Sequence, residues 1–257
     1  MASYLALFDT HWGYDQRPGR TKAPLHDRRT LDLVLKVASD FKPDVLILGG
    51  DTLDCGPLSP HLKHKHRSIE GLRIATDAQE LRAHVLEPLE QLGSKRIYML
   101  GNHCRWAEDV IEEYPGLDGV LSINALLGLE AHDWQIIPQG ELYRLGKLFF
   151  MHGDTIKGST HVAKTAMDRY DRNVRFGHFH TYQAYTKHRP LDIDHPKTAI
   201  AVPCLCGRDA LYMMRAPNRW VQGFAYGHVE PNGIFHDQVA TVINHAWTAP
   251  WGTRYKG

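Results

Sequence analysis

Val45-Leu46-Ile47-Leu48-Gly49-Gly50-Asp51-Thr52-Leu53-Asp54 is the stretch that decides the fold. Four consecutive apolar residues read as a strand buried on both faces. Two glycines then release the chain into an aspartate. The same pattern occurs on either side: Tyr4-Leu5-Ala6-Leu7-Phe8 runs into Asp9-Thr10-His11, and Arg96-Ile97-Tyr98-Met99-Leu100 runs into Gly101-Asn102-His103. Between the first two strands, the spacing of Leu31, Val34, Leu35 and Ala38 predicts a helix capped by Asp27 and stopped by Pro43. Between the second and third, Ile74, Ala78, Leu81, Val85, Leu89 and Leu92 share one helical face, and Pro88 should kink or restart that helix. Strands alternating with helices in this way imply crossover connections and a largely parallel sheet.

The second half reads differently. Short strands are expected at 134–137, 142–145, 147–151, 174–176, 198–202, 221–226 and 239–243, with one helix near 159–170. An α/β half followed by a strand-rich half suggests two sheets packed face to face with helices outside. No repeat, low-complexity tract or Ser/Gly/Pro linker divides the 257 residues, so one domain over 1–257 is expected. With 43% hydrophobic and 23% charged residues the chain is too apolar for disorder. Thirty Lys and Arg against 29 Asp and Glu leave a net charge of +1, so no bulk field draws the protein to a polyanion. Apolar runs such as Val45 to Leu48 and Leu148 to Met151 are too short to cross a bilayer. Met1-Ala2-Ser3-Tyr4 leads into a strand without the basic segment of a signal peptide, so a soluble, unexported protein without membrane association is expected. Four Cys make no disulfide framework and suit a reducing cytoplasm.

Seventeen His is the unusual count. Every likely strand of the first half ends in side chains that bind metals, and open α/β sheets carry their sites at the carboxyl ends of strands. Asp9 and His11 lie two apart and so point the same way in an extended segment; Asp51 follows the second strand, and Asn102 and His103 follow the third. His152 in Met151-His152-Gly153-Asp154 and the alternating pair in Gly177-His178-Phe179-His180 complete the set. Carboxylate and amide oxygens together with imidazoles, one carboxylate being shared, are the inventory for two first-row metals. Mixed N and O ligation without thiolate favours divalent transition metals over Ca or Mg. Mn heads the expectation, with Fe, Zn, Ni and Co as alternatives.

The order DTH, GD, GNH, HG, GHxH resembles the calcineurin-like metallophosphoesterase superfamily, over Asp9 to His180. The stretches Gly177 to Thr181 and Arg219-Trp220 are also similar to phosphoesterases of this superfamily encoded by bacteriophages. The resemblance implies a four-layer α/β/β/α sandwich of two mixed sheets. It also implies a first metal held by Asp9, His11, Asp51 and His180, and a second by Asp51, Asn102, His152 and His178, with Asp51 as the bridge. A hydroxide bridging the metals would attack phosphorus, while His103, off the metals, contacts the phosphate and protonates the leaving oxygen. Asp54 would orient His103. Asn102, His103 and Arg105 are the expected substrate contacts, Arg105 and its neighbour Trp106 being equally open to a packing role. The implied activity is hydrolysis of phosphodiesters, and of monoesters as a further option. Two departures narrow it: Cys104 stands where the family is usually acidic, and Cys55 where Ser/Thr protein phosphatases carry Arg.

Two alternatives stay open at this point. A nuclease acting on DNA or RNA with the same site is favoured by basic stretches after two site loops: Arg17, Arg20, Lys22, Arg28 and Arg29, then Lys63, Lys65 and Arg67. Solvated loops explain the same residues. A non-catalytic protein-binding scaffold, which some superfamily members are, would have lost metal ligands; here every position is filled. The remaining thiols, Cys55, Cys104 and the Cys204-Leu205-Cys206 pair, read as idle, and His132, His161, His188, His228, His236 and His245 as surface or structural. Trp247, Trp251 and Tyr255 are expected to pin the tail to the body or to a second subunit, which keeps a homodimer open.

Overall fold

The computed structural model describes residues 1–16, 22–158, 160–190, 192–210 and 218–257. Strand β1 (Ala2–Leu7) is followed by a short pair, β2 (Tyr14–Asp15) and β3 (Ala23–Pro24), then helix α1 (Arg28–Phe41) and β4 (Val45–Leu48). Helices α2 (His66–Ile69), α3 (Ile74–Leu81) and α4 (Glu87–Glu90) lead to β5 (Lys95–Met99). Next come α5 (Arg105–Glu113), α6 (Ile123–Leu127), β6 (Trp134–Ile137), β7 (Tyr143–Leu145), β8 (Leu148–Met151), α7 (Val162–Tyr170) and β9 (Asn173–Phe176). The chain ends with β10 (Gln183–Arg189), β11 (Asp192–Ala201), β12 (Gln222–Val229), β13 (Phe235–Val242), β14 (Ala246–Thr248) and β15 (Arg254–Lys256).

One sheet has the order β13-β12-β1-β4-β5-β6, the other β10-β11-β9-β8-β7. In the first, β1, β4, β5 and β6 are parallel and β12 and β13 antiparallel; in the second, β9 pairs in parallel with β8 and β11 while the outer strands are antiparallel. Both sheets are mixed. The period of two along each buried strand sorts the core into layers. Leu5, Leu7, Leu46, Leu48 and Tyr98 pack outward against α1, α3 and α4, whereas Tyr4, Ala6, Val45, Ile47 and Ile97 face Leu148 and Phe150 of the second sheet. On the far side of that sheet, Val174, Phe176, Ala199 and Ala201 pack on Val162, Ala166 and Met167 of α7. The result is helices, sheet, sheet, helix.

Local chemistry sets the helix limits. Asp27 accepts from Thr30 N–H at 3.1 Å to cap α1, and Lys42 closes it in the left-handed conformation just before Pro43. The long helical pattern breaks into α3, a π turn at Arg82–Leu86 and α4. The wider turn, with Glu87 N–H reaching Arg82 C=O, accommodates Pro88, which has no N–H to give and would clash with the preceding turn. Ser159, near the expected start of α7, lies outside the described residues. Strand β10 and helix α5 have no counterpart in the sequence reading. The described side chains of β10 alternate between half-buried and exposed and are largely polar, as an edge strand's are, so no apolar period marks it.

A buried ionic contact ties the two sheets together. Arg175 on β9 meets Asp237 on β13 through Nε–Oδ2 at 2.6 Å and Nη2–Oδ1 at 2.9 Å, and Tyr4 on β1 donates to the same carboxylate at 2.9 Å. β1 and β9 are the strands that lead into Asp9 and His178, so this contact sets their relative register. Asp237→Ala leaves a buried guanidinium unpaired and is expected to cost about 3–5 kcal/mol of stability. Thermal unfolding checks it: an unchanged Tm would mean that packing alone holds the sheets in register.

Candidate metal centre

The loops after β1, β4, β5, β8 and β9 converge at one end of the two sheets. Asp9, His11, Asp51, His178 and His180 all have positive φ, between 46° and 69°. For residues with a Cβ this conformation costs about 1–2 kcal/mol each, and it persists where surrounding contacts over-determine it. Here His11 N–H donates to Asp51 C=O at 2.9 Å, Asp9 N–H to Gly50 C=O at 3.2 Å, and His178 N–H to the Asp9 carboxylate at 2.8 Å. The motif glycines serve close approach. A Cβ on Gly101 would lie 2.2 Å from Asp51 Oδ1, and one on Gly177 would lie 2.4 Å from Asp9 Oδ2.

The seven expected ligands form two adjoining groups. The ligand atoms of Asp9, His11 and His180 lie within 4.8 Å of one another, as do those of Asp51, His152 and His178. Asn102 Oδ1 joins the second group, 3.0 Å from His152 Nε2. Asp51 Oδ2 lies between the groups, 3.1 Å from His152 Nε2 and 3.9 Å from His11 Nε2.

The donor chemistry fits cations. His152 Nδ1 gives its proton to Gly49 C=O at 3.1 Å, so Nε2 presents a lone pair to two further acceptors, Asn102 Oδ1 and Asp51 Oδ2. His11 Nδ1 gives its proton to Asp54 Oδ2 at 2.8 Å, so its Nε2 faces His180 Nε2, only 3.2 Å away, with a lone pair. Asp9 Oδ1 is buried without a hydrogen-bond partner. At His152 Nε2, a lone pair facing the Asn102 and Asp51 oxygens at these distances repels them unless positive charge lies between.

Electrostatics carry the same message. Burial alone would raise the Asp51 and Asp9 carboxyls, but the neighbouring imidazoles, His152 first for Asp51 and His180 first for Asp9, hold both below the usual carboxylate range. Burial would lower His152, yet Asp51 holds it up at about 10. In metal-free protein a proton thus takes the cation's place. Because the folded value lies above the ordinary 6.5, that contribution is complete below about pH 6.5 and is lost as pH rises toward 10. Metal-free protein is therefore expected to lose about 5 °C or more in Tm between pH 7 and 9.5, and metal-loaded protein less. Parallel pH profiles for the two forms would contradict this account.

His103 stands beside these groups. Its Nδ1 gives a proton to Asp54 C=O at 2.8 Å, with Asp54 Oδ2 at 3.3 Å, and its Nε2 is 3.9 Å from Asp51 Oδ2. Asp54 therefore positions two rings, His103 and His11. Burial would raise its carboxyl, but these imidazoles hold it well below the usual range. The Trp106 ring covers His103 at 4.0 Å between centroids. A cleft of about 440 Å³ opens beside Asn102 and His103.

Arg105 does not join them. Its exposed side chain pairs with Asp109 at 3.4 Å and lines a separate depression with Glu108 and Glu112, because the first turn of α5 carries it to the other side of the helix from Trp106. Lys63, Lys65 and Arg67 are exposed and do not line the cleft. Lys22 sits over the Tyr14 ring, Arg28 pairs with Asp32, and Arg29 reaches the Gly257 carbonyl. Arg17 and Arg20 lie outside the described residues.

Three partners have no signature in the sequence. They are the Gly49 carbonyl behind His152, the second contact of Asp54, and Cys206, whose Sγ is 3.6 Å from His180 Nδ1. Cys204 and Cys206 lie near His180, their ligand atoms within 4.8 Å of one another, and burial pushes the Cys206 thiol up. Burial pushes the Cys55 and Cys104 thiols up, so neither is a thiolate near neutral pH. Trp247 and Tyr255 stack at 5.7 Å in the core that includes α1, pinning the tail to the body.

The chain is 27% identical over 172 residues to the Gene 54 protein of Mycobacterium phage L5, an alignment that covers 62% of this chain and 66% of the relative's own length. The crystal structure of Vps29 from Chaetomium thermophilum aligns with a TM-score of 0.47 at 12% identity, covering 99% of this chain and 95% of that one. The calcineurin-like phosphoesterase family matches residues 9–229, which embrace every loop of the cluster, and the chain belongs to that family.

Proposed function

We propose that this protein is a phosphodiesterase that works with two divalent transition-metal ions, manganese first among them. The observation that carries the reading is the position of Asp51 Oδ2 between two sets of imidazole lone pairs, with the outer nitrogen of His103 3.9 Å away. Asp9, His11, Asp51 and His180 would hold one ion, and Asp51, Asn102, His152 and His178 the other. Two such ions supply Lewis-acid neutralisation of the phosphate oxygens and activation of the attacking water. Asn102 and His103 face the substrate. Burial would lower His103, but the Asp51 and Asp54 carboxylates hold it up at about 9, so it carries the proton that a departing oxygen needs.

Charge favours the diester. A monoester dianion brings one more negative charge than a diester, and among the described residues lining the cleft there is no Lys or Arg to meet it. Lys63, Lys65 and Arg67 lend no support to a nuclease, since they do not line the cleft. Four unpaired, buried cysteines fit a reducing, cytoplasmic setting, and among the described residues no helix is long and apolar enough to cross a membrane. The test is a screen of metal-reconstituted protein on bis-p-nitrophenyl phosphate, p-nitrophenyl phosphate, cyclic nucleotides and DNA. Turnover of the diester above the monoester, abolished by chelation, is expected. No turnover of any ester with Mn, Fe, Zn, Ni or Co would overturn the reading and return the scaffold alternative.

A further inference from the structure

One ligand ring of the metal centre rests against sulfur. His180 is buried, and its Nε2 faces His11 Nε2 at 3.2 Å and Asp9 Oδ1 at 3.5 Å. Behind it, Nδ1 lies 3.6 Å from Cys206 Sγ. The rings of His11 and His152 are backed by oxygen instead, the Asp54 carboxylate at 2.8 Å and the Gly49 carbonyl at 3.1 Å. Cys206 is held in place from two sides. Its carbonyl accepts from Gln222 Nε2 at 2.9 Å, Gln222 also donates to Asp27, the cap of α1, at 2.8 Å, and Gly207 N–H donates to Leu25 C=O at 2.7 Å. Cys204, two residues earlier and just as buried, gives its thiol hydrogen to Val221 C=O at 3.4 Å.

We propose that Cys206 is a positioning residue for the first ion: its sulfur accepts the Nδ1–H of His180 and so fixes the tautomer in which Nε2 can bind a cation. The proposal rests on the two-ion reading above. The tautomer comes first. A neutral imidazole has one N–H, and a ring that ligates through Nε2 carries it on Nδ1. In the opposite arrangement the Cys206 thiol would donate to a bare Nδ1, and the ring's own N–H would point at His11 and Asp9, its fellow ligands. Burial comes second. Without the sulfur, Nδ1–H would be a buried donor lacking its acceptor, which favours turning the ring away from its ligating direction. Charge comes third. Asp9, Asp51 and Asp54 already bury three carboxylates around the site. The outer nitrogen of a ligating imidazole is commonly held by a carboxylate, a carbonyl or water, and a fourth carboxylate here would add desolvated negative charge. A buried thiol is a weaker acceptor that sets the tautomer and adds none.

The experiment compares Cys206→Ala, Cys206→Ser and Cys204→Ala in the full-length protein. Manganese titration reads the two affinities. Nitrogen-edited proton NMR of the imidazoles in zinc-loaded protein reads the tautomer, with His180→Gln assigning the signal. Cys206→Ala is expected to weaken by about 10–100-fold the ion that Asp9→Asn loosens and to leave the other unchanged. The His180 Nδ1–H signal should shift or be lost to exchange. Cys206→Ser, whose hydroxyl can still accept, should keep the Nδ1–H tautomer and most of the affinity. Cys204→Ala removes an equally buried thiol and should change neither reading, while Tm reports that each variant is folded. The proposal is overturned by equal weakening in Cys204→Ala and Cys206→Ala, by unaltered affinities in Cys206→Ala, or by a His180 ring that carries its proton on Nε2 in the unmodified, zinc-loaded protein. Failure of the phosphodiesterase reading shows separately: protein that binds two ions and turns over no ester loses that reading, and the titration still decides the role of Cys206.

Discussion

Asp51→Asn is expected to weaken metal binding in both halves of the site at once and to lower kcat/KM by about 10³-fold or more. The substitution keeps shape and volume and removes one charge. That charge lies 3.1 Å from His152 Nε2 and 3.9 Å from His11 Nε2, each ring belonging to a different ligand group. Asp51 Oδ1 also accepts the His103 backbone N–H at 2.9 Å, an interaction an asparagine oxygen can retain, so the loop should not collapse. Single-site controls separate bridging from general damage. Asp9→Asn should loosen the first ion alone, and Asn102→Ala the second alone. Elemental analysis and manganese titration read all three variants. Loss of one ion from Asp51→Asn, with the other held as tightly as in the unmodified protein, would mean that the carboxylate serves only one group. In metal-free protein the same variant should also flatten the pH dependence of Tm, because the charge that raises His152 is gone.

Much of this arrangement was legible in the sequence because of what buried parallel strands require. Tyr4 to Phe8, Val45 to Leu48 and Ile97 to Met99 must be apolar on both faces, so their ends stand out sharply, and the residues just beyond them are those that can converge. The glycines of GD, GNH and GHxH were visible for a related reason. At Gly101 and Gly177 any side chain would displace a carboxylate of the site, so the sequence records a contact made across the fold. Strand β10 escaped notice because a sheet edge that meets solvent does not need apolar alternation.

The parts of the site that were not legible share one property: they act through the backbone or through residues far apart in sequence. The Gly49 carbonyl that fixes the His152 tautomer is invisible because every residue has a carbonyl. Cys206 meets His180 across a distance the chain does not announce, and Asp54 reaches His11 from 43 positions away. Charge runs misled in the opposite direction. Lys63, Lys65 and Arg67 follow a site loop in sequence, yet the fold leaves them in solvent, and Arg105 follows His103 directly but turns toward Asp109. Adjacency along the chain is a poor guide to direction at a helix start, where one residue swings a side chain by about 100°.

His103→Ala is expected to divide substrates by how badly they need a proton. A positioned acid contributes about 10²–10⁴-fold when the leaving group is a poor one and little when it leaves unaided. An alkyl phosphodiester should therefore lose about 10³-fold in kcat, while bis-p-nitrophenyl phosphate, which releases a stable phenolate, should lose about 10-fold or less. Metal content should stay intact, because the contact from residue 103 to Asp51 runs through the backbone N–H, which alanine keeps, and Asp54 is still held by His11 Nδ1 at 2.8 Å. The variant does empty space beneath the Trp106 ring, so His103→Gln serves as a second test that fills it without supplying an acid. The pH profile gives an independent reading with a definite sign. Burial would lower the His103 pKa, but in metal-free protein Asp51 and Asp54 hold it up at about 9; bound ions offset the Asp51 charge while Asp54 remains, so in loaded protein the proton is lost on an alkaline limb below that value. Turnover of the alkyl diester should fall on that alkaline limb, and bis-p-nitrophenyl phosphate should not follow it. Equal losses on both substrates, with no difference between their alkaline limbs, would assign His103 to holding the phosphate rather than to protonating what leaves it.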